Sequence, residues 1–289
     1  MFQIIRDKSL SQFWGLALLA CIVLSVSACA SSGMSLDGTP VEKKGETPAD
    51  TARRAYLRGM EELVAGNNNQ AVKIFATVAR SPRYIRHAAL AKIRIGDAYF
   101  NDRRYEEGAQ AYRSFVAQHA SDPNVPYARF RIASCYFNRV PSGTFIEPPD
   151  YERDQSATRS AVRELSSFLG AFPTSRFSED AREMLTAARK MLVAHQIYVA
   201  DFYESRDKPR AVAWRLRSAL DTYPEASKDP ELVWRMAQAF HDAEEQTDAA
   251  EAFAMYIANF PEGQHINEAK AKLEVIRNKV TPPKGERSD

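Results

Sequence analysis

Of the side chains in this 289-residue chain that could do chemistry, one stands where chemistry is expected. Cys29 follows a short apolar run, Phe13 to Val26, that begins after the basic Arg6 and Lys8 and ends in Ser27-Ala28. A basic start, an apolar stretch and small residues at its end make a secretory signal. The stretch is shorter than the roughly 20 residues a helix needs to cross a bilayer. The other reactive types are scattered. His87, His119, His195, His241 and His265 are isolated, with no second ligand at helical metal spacing. The chain has no phosphate-cradling glycine-rich loop, no nucleophile elbow and no thiol with a neighbouring base. Glu106-Glu107 and Glu244-Glu245 fall in turns between expected helices, where surface charge is ordinary. The sequence therefore predicts no catalytic residue, no metal site and no cofactor.

The four residues Val26-Ser27-Ala28-Cys29 resemble the lipobox of bacterial lipoproteins. That resemblance implies cleavage before Cys29 and acylation of its thiol and new amine. Several acyl chains, at about 0.8 kcal/mol per buried CH₂, make a stable anchor where one would not. Ala30 follows, not the aspartate that resembles an inner-membrane retention signal, so the outer membrane is implied. An ordinary secretory cut after Ala28 or Ala30 is the other reading of the same residues. Removing residues 1–28 takes Arg6, Asp7 and Lys8 and leaves a net charge of +1. A near-neutral envelope protein has no bulk attraction to nucleic acid. Cys21 leaves with the signal and Cys29 is acylated, so only Cys135 remains, a small core residue with no disulfide partner.

The expected organisation is a signal over 1–28, an acylated flexible tether over 29–52, a helical domain over 53–280 and an unfolded tail over 281–289. The tether and tail are rich in Gly, Pro and polar residues and show no apolar period. The domain repeats itself. A small residue is followed twelve positions on by a second small or apolar one, and sixteen on by a bulky one: Gly59, Ala71, Phe75; Gly96, Gly108, Tyr112; Ala200, Val212, Leu216; Ala237, Ala249, Phe253. Gly59, Gly96 and Ala133 are 37 apart, as are Ala200 and Ala237. A fourth copy opens at Ala133 and Tyr136 and resumes after an insertion, 138–153, at Ala161, Leu165 and Phe168. Steps of three and four are neighbours on one helical face. Pro173, Pro224 and Pro261 close the second helices. The pattern matches the tetratricopeptide unit. The predicted fold is all-α: a tetratricopeptide-repeat superhelix of about five helix pairs, with His265 to Val280 as a capping helix. The proline-free, glycine-free run Ser178 to Lys208 predicts one long helix joining two units. The 138–153 insertion either packs on the body or touches a partner.

A stack of helix pairs presents a groove lined by first helices. Tyr56, Met60, Ile93, Asp97, Phe100, Tyr127, Phe130 and Phe137 are the candidates there, and an aromatic groove suits an extended peptide rich in aromatics. Taken singly, each also suits a contact between adjacent units. Charge is uneven: Arg53 to Arg113 holds 12 basic and 6 acidic residues, Glu225 to Glu262 holds 2 and 9. That asymmetry would bias which partner docks where.

Four further stretches carry a family likeness: Asp154-Gln155-Ser156, Ala171-Phe172-Pro173-Thr174-Ser175-Arg176-Phe177, Val199-Ala200-Asp201-Phe202-Tyr203 and Leu220-Asp221-Thr222-Tyr223-Pro224. With the lipobox and five repeats, they resemble the BamD lipoproteins of the outer-membrane β-barrel assembly complex. The likeness is strongest over 123–262. It departs over 53–90, where Ala79-Arg80-Ser81-Pro82-Arg83-Tyr84 replaces the family's usual Tyr-Pro junction. The resemblance implies a non-catalytic scaffold, lipid-anchored through Cys29 on the periplasmic face of the outer membrane. Its implied partners are the periplasmic domains of the barrel-inserting subunit BamA at the C-terminal repeats, accessory lipoproteins, and unfolded outer-membrane proteins at the N-terminal repeats. By position Arg215 meets a BamA periplasmic domain; read alone, it is a solvated helix arginine. The alternatives are a lipoprotein scaffold for another envelope assembly, such as secretin or pilus biogenesis, and an envelope hydrolase with converging carboxylates.

Overall fold

A computed structural model describes residues 45, 47–80, 85–141, 143 and 148–280. All belong to the second of two compact units, Gly33–Asp289. The expected signal, Cys29 and the tail 281–289 lie outside the described residues.

Among the described residues eleven α-helices follow one another: α1 (Pro48–Val64), α2 (Asn68–Arg80), α3 (Ile85–Asn101), α4 (Tyr105–Gln118), α5 (Val125–Phe137), α6 (Ser156–Ala171), α7 (Ser178–Glu204), α8 (Pro209–Thr222), α9 (Pro230–Asp242), α10 (Gln246–Asn259) and α11 (Ile266–Val280). No strand occurs among the described residues. Each helix packs most closely on its neighbours in the chain. α1 to α10 are five tandem pairs, and α11 covers the last. This is the all-α repeat architecture that the spacing predicts. α1 begins five residues before the expected boundary at 53. Thr47 and Asp50 form a reciprocal capping box ahead of Pro48, so 48–52 belong to the helix and not to the tether.

The repeated small residues are explained by close approach. A Cβ added at Gly59 would lie 2.6 Å from the Phe75 ring, and one at Gly96 would lie 2.6 Å from the Tyr112 ring. Alanine suffices at Ala133, Ala200 and Ala237, all fully buried. The next position in this column, 37 beyond Ala237, is the exposed Glu274 on α11. Glu274 faces solvent, so among the described residues α11 caps the fifth pair.

The turns inside the pairs repeat as well. Gly66, Arg103, Asp207 and Glu244 all have φ between 54° and 79°. In each turn the next amide donates to the carbonyl five residues back, Asn67 to Glu62, Arg104 to Tyr99, Lys208 to Tyr203 and Glu245 to Phe240. That bond closes a Schellman motif. Between pairs, α6, α8 and α10 each end two residues before Pro173, Pro224 and Pro261, and Phe172, Tyr223 and Phe260 between leave the helical region with ψ of 59° to 83°. α7 runs 27 residues, about 40 Å, and packs on α6 and on α8, so the third and fourth pairs share it. The described end of the insertion packs on α7. The Tyr151 ring lies 5.7 Å from that of Tyr198, and the Tyr151 carbonyl is 2.5 Å from His195 Nδ1.

One buried carboxylate ties the first three pairs together. Asp97 on α3, 6% exposed, accepts hydrogen bonds from the Tyr112 hydroxyl of α4 at 2.5 Å and the Tyr127 hydroxyl of α5 at 2.6 Å. Arg94 donates to Asp97 at 2.7 Å and to the Tyr56 hydroxyl of α1 at 3.1 Å. Arg131 of α5 donates to Tyr112 at 3.1 Å and lies 3.6 Å above the Phe100 ring. Burial, with the Asp97 charge adding to it, pushes the Tyr127 phenol up to about 12 and Tyr112 beyond the ordinary phenol range. Both therefore keep the proton that they donate.

Removing this carboxylate takes the ionic partner from Arg94 and the acceptor from the buried Tyr112 and half-buried Tyr127 hydroxyls. Asp97→Ala is expected to cost about 2–4 kcal/mol in urea unfolding of the body. A loss below about 0.5 kcal/mol would remove Asp97 from this role. Gly96→Ala is expected to cost about 1–3 kcal/mol by the same measurement, because Tyr112 is pinned and cannot retreat from the new methyl. Unchanged stability there would show that the two helices do not meet at Gly96.

Candidate partner-binding interface

The eight groove candidates all lie on α1, α3 and α5, and the structure turns most of their surface inward. Ile93 is 3% exposed and Phe130 8%, so neither offers a peptide a contact face. Phe130 stacks on Phe177 at 4.9 Å with the rings 8° from parallel. Asp97 is occupied by Arg94, Tyr112, Tyr127 and, at 3.8 Å, Arg131. Tyr56, Met60, Phe100, Tyr127 and Phe137 are half-buried. Tyr56 packs on Phe75 and His87, Met60 joins the core of the first pair, and Phe137 joins that of α5, α6 and α7. The structure thus gathers Tyr56, Asp97, Phe100 and Tyr127 into one network through Arg94 and Arg131, with only their rims open.

Arg215 sits on α8 in a different setting. It is exposed and makes no ion pair among the described residues, while its neighbours are tied down. Arg210 pairs with Glu245 at 2.6 Å, and Arg217 with Asp221, Asp248 and Glu251 at 3.4 to 3.9 Å. The equivalent positions of α2 and α10 are Ile74 and Ala252, 1% and 0% exposed. The fourth pair therefore presents an arginine to solvent where the first and fifth bury an apolar side chain. A guanidinium of this kind offers five donors in a fixed fork, suited to a partner's carboxylate.

Beside it Trp214 is 47% exposed, a residue the sequence reading passed over. A signal for it exists. At the same register, α2, α4 and α10 carry Lys73, Gln110 and Glu251, all exposed and polar. An aromatic in a column of surface polar residues, next to an unpaired arginine, has the composition of an interaction hot spot.

Among the described residues no group of three or more His, Cys, Asp or Glu could hold a metal ion. Cys135 is 1% exposed, and burial pushes its thiol up to about 12, which leaves no thiolate for nucleophilic work. No described helix is long and apolar enough to cross a membrane.

Residues 48–243, from the start of α1 to the residue after α9, match the model of the YfiO family, described as an outer membrane lipoprotein. The outer membrane protein assembly factor BamD of Caulobacter vibrioides is 24% identical over 84% of this chain and 75% of its own length. The factor of the same name from Neisseria gonorrhoeae is 24% identical over 87% of this chain and 93% of its own. That from Haemophilus influenzae is 25% identical over 78% and 82%. The solved structure of the TPR2AB-domain:pHSP90-complex of yeast Sti1 aligns over 80% of this chain and 84% of its own, at 11% identity and a TM-score of 0.38. The family match runs through the first four helix pairs and the first helix of the fifth, and on that ground the chain belongs to the YfiO family of outer membrane lipoproteins.

Proposed function

We propose that this protein is an assembly factor for outer-membrane β-barrel proteins, acting as a non-catalytic scaffold on the periplasmic face of the outer membrane. The observation that carries the reading is the family match over 48–243, joined to relatives that bear the name of outer membrane protein assembly factor over most of this chain. A stack of helix pairs stabilised by small-residue contacts supplies rigid faces, which suits holding a partner. The body is held to the membrane by acyl chains on Cys29. The exposed face of α8, with Arg215 free, takes the periplasmic domains of the barrel-inserting subunit BamA, with accessory lipoproteins in the same complex. Unfolded barrel proteins meet the N-terminal pairs, where Tyr56, Met60, Phe100, Tyr127 and Phe137 keep open rims.

Affinity purification from detergent extract tests this. The barrel-inserting subunit and its accessory lipoproteins are expected to co-purify; recovery of secretin or pilus components in their place would sink the proposal. In the same experiment Arg215→Glu is expected to lower recovery of the barrel-inserting subunit at least about tenfold. The fold should hold, since an exposed, unpaired position changes stability by no more than about 0.5 kcal/mol. Wild-type recovery would take Arg215 out of the interface. Cys29→Ser is expected to move the body from the membrane fraction to the soluble periplasm, and membrane retention in high salt would contradict the acyl anchor.

A further inference from the structure

A groove of about 670 Å³ lies between the α7–α8 turn and the α9–α10 turn, floored by Tyr203, Pro209 and Trp214 and edged by Asp207, Asp242 and Glu244. Its volume lies within the about 300–1,000 Å³ of ligand pockets, room enough for two large side chains. We infer that it binds a partner segment in which an arginine stands beside an apolar side chain.

The repeat shows why the groove is open. In the first two pairs, the corresponding turns are laced together: the Asn68 side-chain amide donates to the Asp102 carboxylate at 2.6 Å. The residues 141 positions further along, in the fourth and fifth pairs, are Pro209 and Ala243, which cannot make that bond, and both line the groove. The space that a hydrogen bond closes in one half of the molecule is left free in the other.

Its floor is held ready. The Trp214 indole N–H donates to Glu245 at 3.1 Å, and the ring meets Phe240 edge-on at 5.4 Å, so the side chain is fixed while nearly half its surface stays open. A fixed aromatic surrenders little conformational entropy on binding.

The rim decides the charge of the occupant. Asp207 and Glu244 make no ion pair among the described residues, and Asp242 meets only its neighbour His241, at 3.3 Å. Of the two cations lining the groove, Arg210 is answered by Glu245, so Lys208 alone stands against three carboxylates. A guanidinium satisfies these carboxylates in fork geometry and lies over an indole face as an ammonium does less well. The apolar neighbour fills the space above Tyr203 and Pro209. The inference does not depend on the anchor at Cys29 or on Arg215.

The test follows the Trp214 indole N–H resonance of the full mature chain in detergent, assigned by its loss in Trp214→Phe. Three eight-residue peptides are titrated: one carrying Arg-Phe in a Gly-Ser background, one with Glu for Arg, and one with Ser for Phe. The Arg-Phe peptide is expected to shift the indole with a Kd below about 1 mM, and each of the other two to bind at least about tenfold more weakly. Trp214→Ser should abolish binding, read by calorimetry. Glu244→Arg, an exposed change, should reverse the preference between the Arg and Glu peptides. Equal or tighter binding of the Glu peptide, unchanged binding by Trp214→Ser, or no indole shift up to about 5 mM of the Arg-Phe peptide would each overturn the assignment.

Discussion

Everything in this molecule rests on how closely two helices can approach. Phe75 and Tyr112 lie where a Cβ on Gly59 or Gly96 would overlap their rings, and with glycine there the rings fill the seam. One such pair still leaves an apolar face uncovered, so the next pair must follow. The same demand fixes the 37-residue spacing, since each new first helix has to present its small residue at the same height. At α11, Ala269, Leu273 and Ile276 are buried against the fifth pair, and Glu274 stands exposed where the earlier first helices carry a small residue.

On that common frame the two ends use polar groups differently. In the first three pairs Asp97, Arg94, Arg131 and the phenols of Tyr56, Tyr112 and Tyr127 satisfy one another inside the stack. A buried carboxylate is costly unless every partner is in place, and here the network that holds it draws on four helices. In the fourth and fifth pairs Arg210, Arg217 and Arg235 make ion pairs between helices, and several other polar groups are left facing solvent. Arg215 stands unpaired, the Asn68–Asp102 link has no counterpart, and Trp214 holds a column otherwise given to polar surface residues. The first half spends its polar chemistry on cohesion, the second divides it between cohesion and display.

The frame was legible in the sequence because its constraint is local and periodic: a small residue, then a bulky one sixteen on, repeated at 37. The long α7 was legible from the lack of proline and glycine after Ser178. The start of α1 was not, because Pro48 among Gly38, Pro40 and Gly45 reads as linker, although Thr47 and Asp50 cap the helix. The aromatics of α1, α3 and α5 read as groove-lining in the sequence because a stack of helix pairs presents a groove lined by its first helices. Sequence period does not say which face meets solvent and which meets the next pair. Asp97 could not be placed at the centre of a network by spacing alone, since its donors come from Tyr112 and Tyr127, 15 and 30 residues away. Trp214 and the Pro209–Ala243 gap emerge only when distant copies are laid over one another, and the meaning of the gap needs the bond that fills it elsewhere.

A glycine at a left-handed bend is chemically mute; Arg103, Asp207 and Glu244 are not. The bend costs each of them about 1–2 kcal/mol, less than the about 2–5 kcal/mol of emptying a core position. Because main-chain hydrogen bonds close all four bends, whether they carry glycine or a charged side chain, the tips can display charge at a cost the stacked scaffold beneath absorbs.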